Sequence, residues 1–368
     1  MRRALELAQR GLFSTDPNPR VGCVLVRDGQ VIAEGWHERA GGPHAEVQAL
    51  RAAGAAANGA SVYVTLEPCA HTGRTPPCTQ ALIGAQVRRV VFASADPNPL
   101  VNGAGAAALR AAGIEVSEGL LAEQARLLNP GFFKRMVSGL PWVRVKLAAS
   151  LDGRTALASG ESRWISGEAA RADVQQFRAR SSVVLTASGT VLSDDPALNV
   201  RLPEAQRQPM RVVLDTELRT SPSARVYAGA AAAGGTVRVF TASRDAARRQ
   251  AFERAGVSVD CVERAVGGGL ALEPLLRRLA ELQANEVWVE AGARLAGALL
   301  REGLADELIV YLAPVLLGAQ ARPLLQLPPI EALRTAPRLQ FTECARIGAD
   351  LRLTAHPLAV AGSLPEVR

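Results

Sequence analysis

Lysine is almost absent from this chain. Lys134 and Lys146 are the only lysines among 42 basic residues, so arginine carries nearly all the positive charge. Together with the abundance of alanine this reads as codon bias. It also marks the two lysines as candidates for work that a planar guanidinium does poorly. Aromatic residues make up only 4% of the chain, which leaves little for stacking bases. The net charge of +7 therefore reads as pockets for phosphorylated small molecules, with no nucleic-acid partner. No apolar run reaches the roughly 18 residues of a membrane span. Met1-Arg2-Arg3 leads into Glu6, Gln9 and Arg10 and not into an apolar signal core. No membrane partner and a cytoplasmic location are expected. The five cysteines, an odd number, argue against a disulfide framework, and Cys23, Cys261 and Cys344 read as core residues.

The remaining two cysteines stand in a pattern. Pro43-His44-Ala45-Glu46 is followed by Glu67-Pro68-Cys69 and by Pro76-Pro77-Cys78. One imidazole and two thiols make three protein ligands for zinc, with a fourth position left for water, which is the coordination of a catalytic site. Glu46 is then a carboxylate beside that water. His-x-Glu followed by Pro-Cys and a second Cys is the signature of zinc nucleobase deaminases. A deaminase acting on nucleic-acid bases is a rival reading, but those enzymes usually carry Cys-x-x-Cys, and here eight residues separate Cys69 and Cys78. The longer loop brings His71 and Arg74, which suit a substrate phosphate. A second rival is a zinc-stabilised binding module in which His71 closes the site as a fourth ligand.

A length of 368 residues suggests two domains, placed at 1–138 and 139–368. The first opens with an amphipathic helix over 1–12, with Leu5, Ala8 and Leu12 on one face. Strands at 21–26 and 31–36 flank an Asp28-Gly29 hairpin turn. A helix follows Gly42-Pro43 and runs to about Ala53, placing His44 and Glu46 in its first turn. Residues two apart do not share a helix face, so one metal site serves both only if it lies over the helix N-terminus, where the dipole favours negative charge. A strand at 61–66, a helix at 78–86, a strand at 87–93, a helix at 104–112 and a last strand complete a sheet between helices. Asp16-Pro17-Asn18-Pro19 and Asp96-Pro97-Asn98-Pro99 are the same tetrapeptide, read as turns lining one pocket. A connecting helix spans 120–140.

The second half alternates strands (142–148, 182–187, 211–215, 236–241, 257–262, 286–290, 307–315) with helices (167–180, 243–255, 271–283, 293–302). That order implies a mostly parallel sheet. Gly103-Ala104-Gly105 fails as a dinucleotide fingerprint because no strand runs directly into it. Gly267-Gly268-Gly269 reads as a flexible loop. Glu290-Ala291-Gly292 leaves a strand and enters a helix. Gly292 there either admits a phosphate to the backbone amides or serves tight packing, and the pattern does not choose.

The chain resembles the bifunctional riboflavin-biosynthesis deaminase/reductase family. The resemblance rests on Pro43-His44-Ala45-Glu46-Val47, Thr65-Leu66-Glu67-Pro68-Cys69 and His71-Thr72-Gly73-Arg74-Thr75-Pro76-Pro77-Cys78. In the second half it rests on Lys146–Thr155, Ser159–Ile165, Asp194–Arg201 and Val289-Glu290-Ala291-Gly292. It implies an α/β protein: a cytidine-deaminase-like α/β/α sandwich followed by a dihydrofolate-reductase-like domain. The first domain would deaminate 2,5-diamino-6-ribosylamino-4(3H)-pyrimidinone 5′-phosphate, and the second would use NADPH to reduce the ribosyl chain to ribityl. The resemblance also implies site residues. His44, Cys69 and Cys78 would hold Zn2+ and Glu46 would move protons. Asn18, His37, His71, Arg74, Asp96 and Asn98 would contact the first substrate. Ala148, Trp164, Thr190, Asp194, Thr216 and Gly292 would contact NADPH. Ser162, Arg178, Leu198, Arg201 and Glu290 would contact the second substrate, joined by Lys146 from the lysine argument. A homo-oligomer is expected, a dimer being favoured.

Overall fold

The computed structural model describes residues 1–71, 76–99, 101–229 and 236–358. The chain divides into two compact units, Met1–Pro141 and Trp142–Arg368.

In the first unit α1 (Arg2–Gln9) precedes β1 (Gly22–Arg27) and β2 (Gln30–Trp36), which are joined through Asp28 and Gly29. Both turn residues have positive φ (51° and 78°), as a two-residue hairpin requires. There follow α2 (Ala45–Ala53), β3 (Ser61–Leu66), α3 (Cys78–Gly84), β4 (Arg89–Ser94), α4 (Ala104–Ala111), β5 (Glu115–Glu118), α5 (Ala122–Leu128) and α6 (Pro130–Ser138). The sheet order is β2-β1-β3-β4-β5, antiparallel around β1 and parallel from β3 to β5. Period-two alternation sends Cys23 and Leu25 into the core with Ala45, Leu82 and Leu109, while Val24 packs on Ala4 and Leu7 of α1. Helices thus cover both faces.

Three expectations for this unit need correction. The first helix stops at Gln9 and buries Ala4, Leu7 and Ala8, whereas Leu5 and Leu12 are half-buried. Past its end Gly11 lets the chain pass close to its neighbours: a Cβ there would stand 2.7 Å from Thr15 Cγ2 and 2.8 Å from the His37 carbonyl oxygen. His44 is the N-cap of α2 with extended backbone, not a residue of its first turn. The connecting helix is two helices broken at Asn129, because Pro130 lacks an N–H and disfavours helical backbone in the residue before it. Asn129 instead accepts from Arg20 N (2.8 Å) and donates to Arg20 O (2.9 Å), which anchors the end of the Asp16–Pro19 turn.

The second unit runs β6 (Trp142–Ser150), β7 (Arg154–Ala156), α7 (Glu168–Arg180), β8 (Val183–Ala187), α8 (Ser188–Asp194), β9 (Met210–Leu214), β10 (Val237–Thr241), α9 (Ala246–Arg254), β11 (Ser258–Cys261), α10 (Leu272–Glu281), β12 (Glu286–Glu290), α11 (Ala293–Arg301), β13 (Glu307–Ala313), β14 (Arg322–Pro323), β15 (Leu339–Ile347) and β16 (Asp350–Pro357). The nine-stranded sheet is ordered β11-β10-β9-β8-β12-β6-β13-β16-β15. It is parallel from β11 to β13, and β16 and β15 add an antiparallel hairpin. One face buries Val184, Val213, Trp288 and Ile309 beneath Val174 and Phe252. The other brings Val143, Leu185 and Val289 against Leu275, Leu276 and Leu299 of α10 and α11. The hairpin lies beyond 307–315, the last strand expected from the sequence, and α8, β7 and β14 are further elements that the sequence pattern does not predict. Cys23 is core as expected, but Cys261 and Cys344 are exposed, since each lies on an outermost strand of the sheet. Gly267, Gly268 and Gly269 all have positive φ, a chain reversal that side chains resist.

Candidate active sites

The first site gathers around the exit of β3. His44 caps α2, Cys69 follows β3, and Cys78 opens α3. His44 Nδ1 lies 3.1 Å from Cys78 Sγ and 3.6 Å from Cys69 Sγ, and one ligand atom from each residue falls within 4.8 Å of the others. Zinc bonds of about 2.3 Å to sulfur and 2.1 Å to nitrogen place tetrahedral ligands about 3.6–3.8 Å apart, so this donor set fits zinc. His71 does not belong to the cluster among the described residues, which weakens the closed four-ligand alternative.

The electrostatics are those of a site built for a cation. The Cys78 thiol, resisted by burial and aided by His44, pulls Cys69 down to about 4, while Cys78 itself is driven far up. The Cys78 amide also points at Cys69 Sγ, at 3.4 Å. The bond to Cys69 outweighs burial and raises His44. Glu46, 3% exposed in the first turn of α2, is raised chiefly by burial, against the pull of His44. A carboxyl shifted upward in this way is a stronger proton acceptor than an exposed one.

Around the cluster, Asn18 Nδ2 meets His37 Nε2 at 3.0 Å, and His37 Nδ1 meets the Pro43 carbonyl at 3.0 Å. A carbonyl only accepts, so Nδ1 carries the proton and Nε2 accepts from Asn18; burial keeps this imidazole neutral. The His37 and His44 rings are 5.4 Å apart, edge to face. Asp96 accepts from Asn98 N at 2.9 Å, and burial, reinforced by the charges of Glu67 and Cys69, lifts it to about 6. His71 is half-buried, and Arg74 lies outside the described residues. Glu67 was not singled out from the sequence. Its contacts are with residues far along the chain.

The second site lies at the C-terminal ends of the parallel strands, where open α/β sheets bind ligands. Lys146 of β6 stands opposite Glu290 of β12 in the strand register. Arg178 of α7 grips Glu290 with two bonds, Nε to Oε1 at 2.5 Å and Nη2 to Oε2 at 2.9 Å, and also reaches the Asn199 carbonyl. Trp288 Nε1 donates to the same carboxylate at 2.9 Å, with its ring stacked on Phe177. Burial alone would raise Glu290, but Arg178, with help from Lys146, holds it down at about 2. Burial lowers the Lys146 ammonium despite Glu290. Two cations thus face one carboxylate, an arrangement that suits an incoming anion.

Ala148 is half-buried two residues further along β6. Thr190 and Asp194 lie on α8 after β8, Thr216 follows β9, and Gly292 follows β12 as the N-cap of α11. All four therefore emerge at the same sheet edge as Glu290. A Cβ on Gly292 would meet nothing within 4 Å, whereas one on Gly297 would stand 2.1 Å from the Gln326 carbonyl oxygen. Gly297 serves packing and Gly292 does not. Trp164 is 71% exposed, with the Arg171 guanidinium 4.4 Å over its ring. The preceding Arg163 ties this loop to the Asp194 carbonyl at 2.8 Å. Ser162 is half-buried in the same loop and Arg201 is exposed. The Leu198 side chain packs in the core, which leaves its backbone, at φ 54°, for any ligand.

Residues 1–94 match the family model of the cytidine and deoxycytidylate deaminase zinc-binding region, and residues 141–353 match that of the RibD C-terminal domain. The riboflavin biosynthesis protein RibD of Escherichia coli is 51% identical over 365 residues, covering 96% of this chain and 97% of its own. This chain belongs to the RibD family. RibD of Bacillus amyloliquefaciens is 44% identical over 359 residues, 97% of this chain and 95% of its own. Among solved structures, form 1 of Acinetobacter baumannii RibD is similar with a TM-score of 0.90 at 47% identity, covering 97% of each chain. The diaminohydroxyphosphoribosylaminopyrimidine deaminase/5-amino-6-(5-phosphoribosylamino)uracil reductase of Thermotoga maritima is similar with a TM-score of 0.84 at 34% identity, again over 97% of each. The enzyme is therefore a bifunctional riboflavin-biosynthesis protein, with a zinc-binding deaminase half of cytidine-deaminase-like fold and a reductase half. Among the described residues no helix is long and apolar enough to cross a membrane.

Proposed function

We propose that this chain deaminates 2,5-diamino-6-ribosylamino-4(3H)-pyrimidinone 5′-phosphate in residues 1–138 and reduces the ribosyl chain of the deaminated product with NADPH in residues 139–368. The observation that carries the reading is the meeting of His44, Cys69 and Cys78 beside buried Glu46. Zinc on this donor set would activate water as a Lewis acid. Two thiolates neutralise much of its charge, so a neighbouring base is required, and Glu46 is that base. Its carboxylate takes a proton from water and delivers it to the ring nitrogen; it then takes the proton of the hydroxyl that has added to the ring carbon and passes it to the amine, which leaves as ammonia while the carbonyl forms. Asn18, His37, His71, Asp96 and Asn98 hold the pyrimidine and its phosphate, and Arg74 joins them.

In the second site NADPH supplies the hydride. Ala148, Trp164, Thr190, Asp194, Thr216 and the open amides after Gly292 hold the dinucleotide. Lys146, Ser162, Arg178, Leu198, Arg201 and Glu290 hold the ribosyl phosphate, with Lys146 placed against the sugar hydroxyls. The arrangement supports this because Lys146 and Arg178 exceed the single charge of Glu290. The enzyme acts as a cytoplasmic homodimer. Five unpaired cysteines suit a reducing compartment, and β15 exposes Leu339 and Phe341 along an outermost strand. The test is incubation with the diaminopyrimidinone phosphate, with and without NADPH, followed by mass spectrometry. Without NADPH the expected product has exchanged one amine for oxygen. With NADPH it has also gained two hydrogens. An unchanged substrate in both arms refutes the proposal.

A further inference from the structure

Glu67 stands between β3 and the Cys69 ligand and is 3% exposed. Its Oε2 accepts from Gly103 N at 3.0 Å and from Asp96 N at 3.3 Å, and its Oε1 accepts from Ala106 N at 3.0 Å. Its own amide donates to the carbonyl of Ser94, the last residue of β4, at 2.9 Å. One side chain thus binds the first turn of α4 and the loop that carries Asp96 and Asn98. Helix capping alone does not require this. A local side-chain cap would need extended backbone at position 103. The chain instead places Gly103 there with φ 83° and no side-chain cap, and brings in a carboxylate from 36 residues earlier. The packing is equally close. A Cβ on Gly105 would stand 1.9 Å from the Pro68 carbonyl oxygen and 3.1 Å from Glu67 Oε1. Asp96 in turn fixes Asn98 through its own carboxylate.

We propose that Glu67 is a positioning residue of the deaminase: it sets the distance between the Cys69 ligand loop and the Asp96–Asn98 loop. Cys69 is two residues from Glu67 along the chain, and Asp96 hangs from its side chain. A shift of this carboxylate moves the pyrimidine-holding groups relative to the metal ligands. The proposal rests on the roles given above to Asp96, Asn98 and Cys69.

Glu67→Gln tests it. The amide has the same shape but turns one acceptor oxygen into a donor, which then faces main-chain N–H groups on one side or the other. The variant should keep one zinc per chain, and KM for the diamino substrate should rise about tenfold, as expected for losing one well-made polar contact to substrate. The kcat per zinc should fall by less than KM rises. Affinity for the deaminated product, measured by calorimetry, should fall by the same factor as KM rises. Glu67→Asp keeps both oxygens on a shorter arm, and its KM should lie between those of Glu67→Gln and wild type. A merely structural role would lower the melting temperature and the zinc-loaded fraction and leave the KM of loaded enzyme unchanged. That result overturns the proposal, as does loss of zinc from both variants. Where only the Gln variant fails to fold or load zinc, the Asp variant decides by the same KM measurement against wild type. Failure of the wild type to deaminate would sink the underlying assignment, which is a separate outcome.

Discussion

Replacing Arg178 with methionine should destabilise the reductase unit by an amount that the geometry allows to be worked out. The change keeps most of the side-chain length and removes both bonds to Glu290. Glu290 has its folded pKa near 2 against an ordinary value of 4.5. A carboxylate held down in this way contributes stability that is fully present above about 4.5 and is lost as pH falls through about 2. The difference of about 2.5 pH units corresponds to about 3 kcal/mol at neutral pH. Breaking a buried ion pair by removing one partner costs about 3–5 kcal/mol, which agrees. Lys146 remains opposite Glu290, so the lower figure applies. A unit of roughly 230 residues loses about 0.5 kcal/mol per degree near its midpoint, so the melting temperature should fall by about 6 °C. Scanning calorimetry at pH 7 measures this on the transition that NADPH shifts upward. Less than half of the gap between wild type and variant should survive at pH 3. A variant that melts within about 1 °C of wild type at pH 7, or a gap that does not narrow on acidification, refutes the reasoning.

Other outcomes follow from the same geometry. Glu46→Gln should lower ammonia release by about 10²–10⁴-fold, on the order of 3–5 kcal/mol of barrier, and leave NADPH oxidation on the deaminated compound near the wild-type rate; loss of both activities in folded protein would contradict two separate sites. Cys69→Ser or Cys78→Ser should reduce bound zinc from one per chain to a trace by metal analysis, because two of three donors cannot hold it. Lys146→Arg should lower NADPH-dependent turnover without affecting deamination, since a planar fork does not replace a compact ammonium beside Glu290; full reductase turnover would end the argument from lysine scarcity.

Much of this protein is legible in one dimension. The meeting of His44, Cys69 and Cys78 is, because a metal accepts few side-chain types and these residues sit at helix starts and strand exits marked by Pro43, Pro68 and Pro77. The alternation of buried strands and helices is also legible, since strands covered on both faces carry short apolar runs, as in Val183–Leu185 and Val287–Val289. The hairpin of β15 and β16 was not, because β15 is exposed along nearly its whole length and leaves no burial pattern to read. The break at Asn129 had its signal in Pro130, but the reason an asparagine belongs there is its double bond to Arg20, 109 residues earlier. The exposure of Cys261 and Cys344 depends on which strands end the sheet, a matter of pairing order that composition does not encode. The same holds for both sites. The sequence named Glu46 through residue chemistry and motif spacing, and Arg178 and Glu290 through the family resemblance, both of which are properties of the chain. Only the fold joined Arg178 to Glu290 across 112 residues and Glu67 to three amides lying 29, 36 and 39 residues ahead. Those bonds form because β12 inserts between β8 and β6, and because α4 seats its glycine on Pro68.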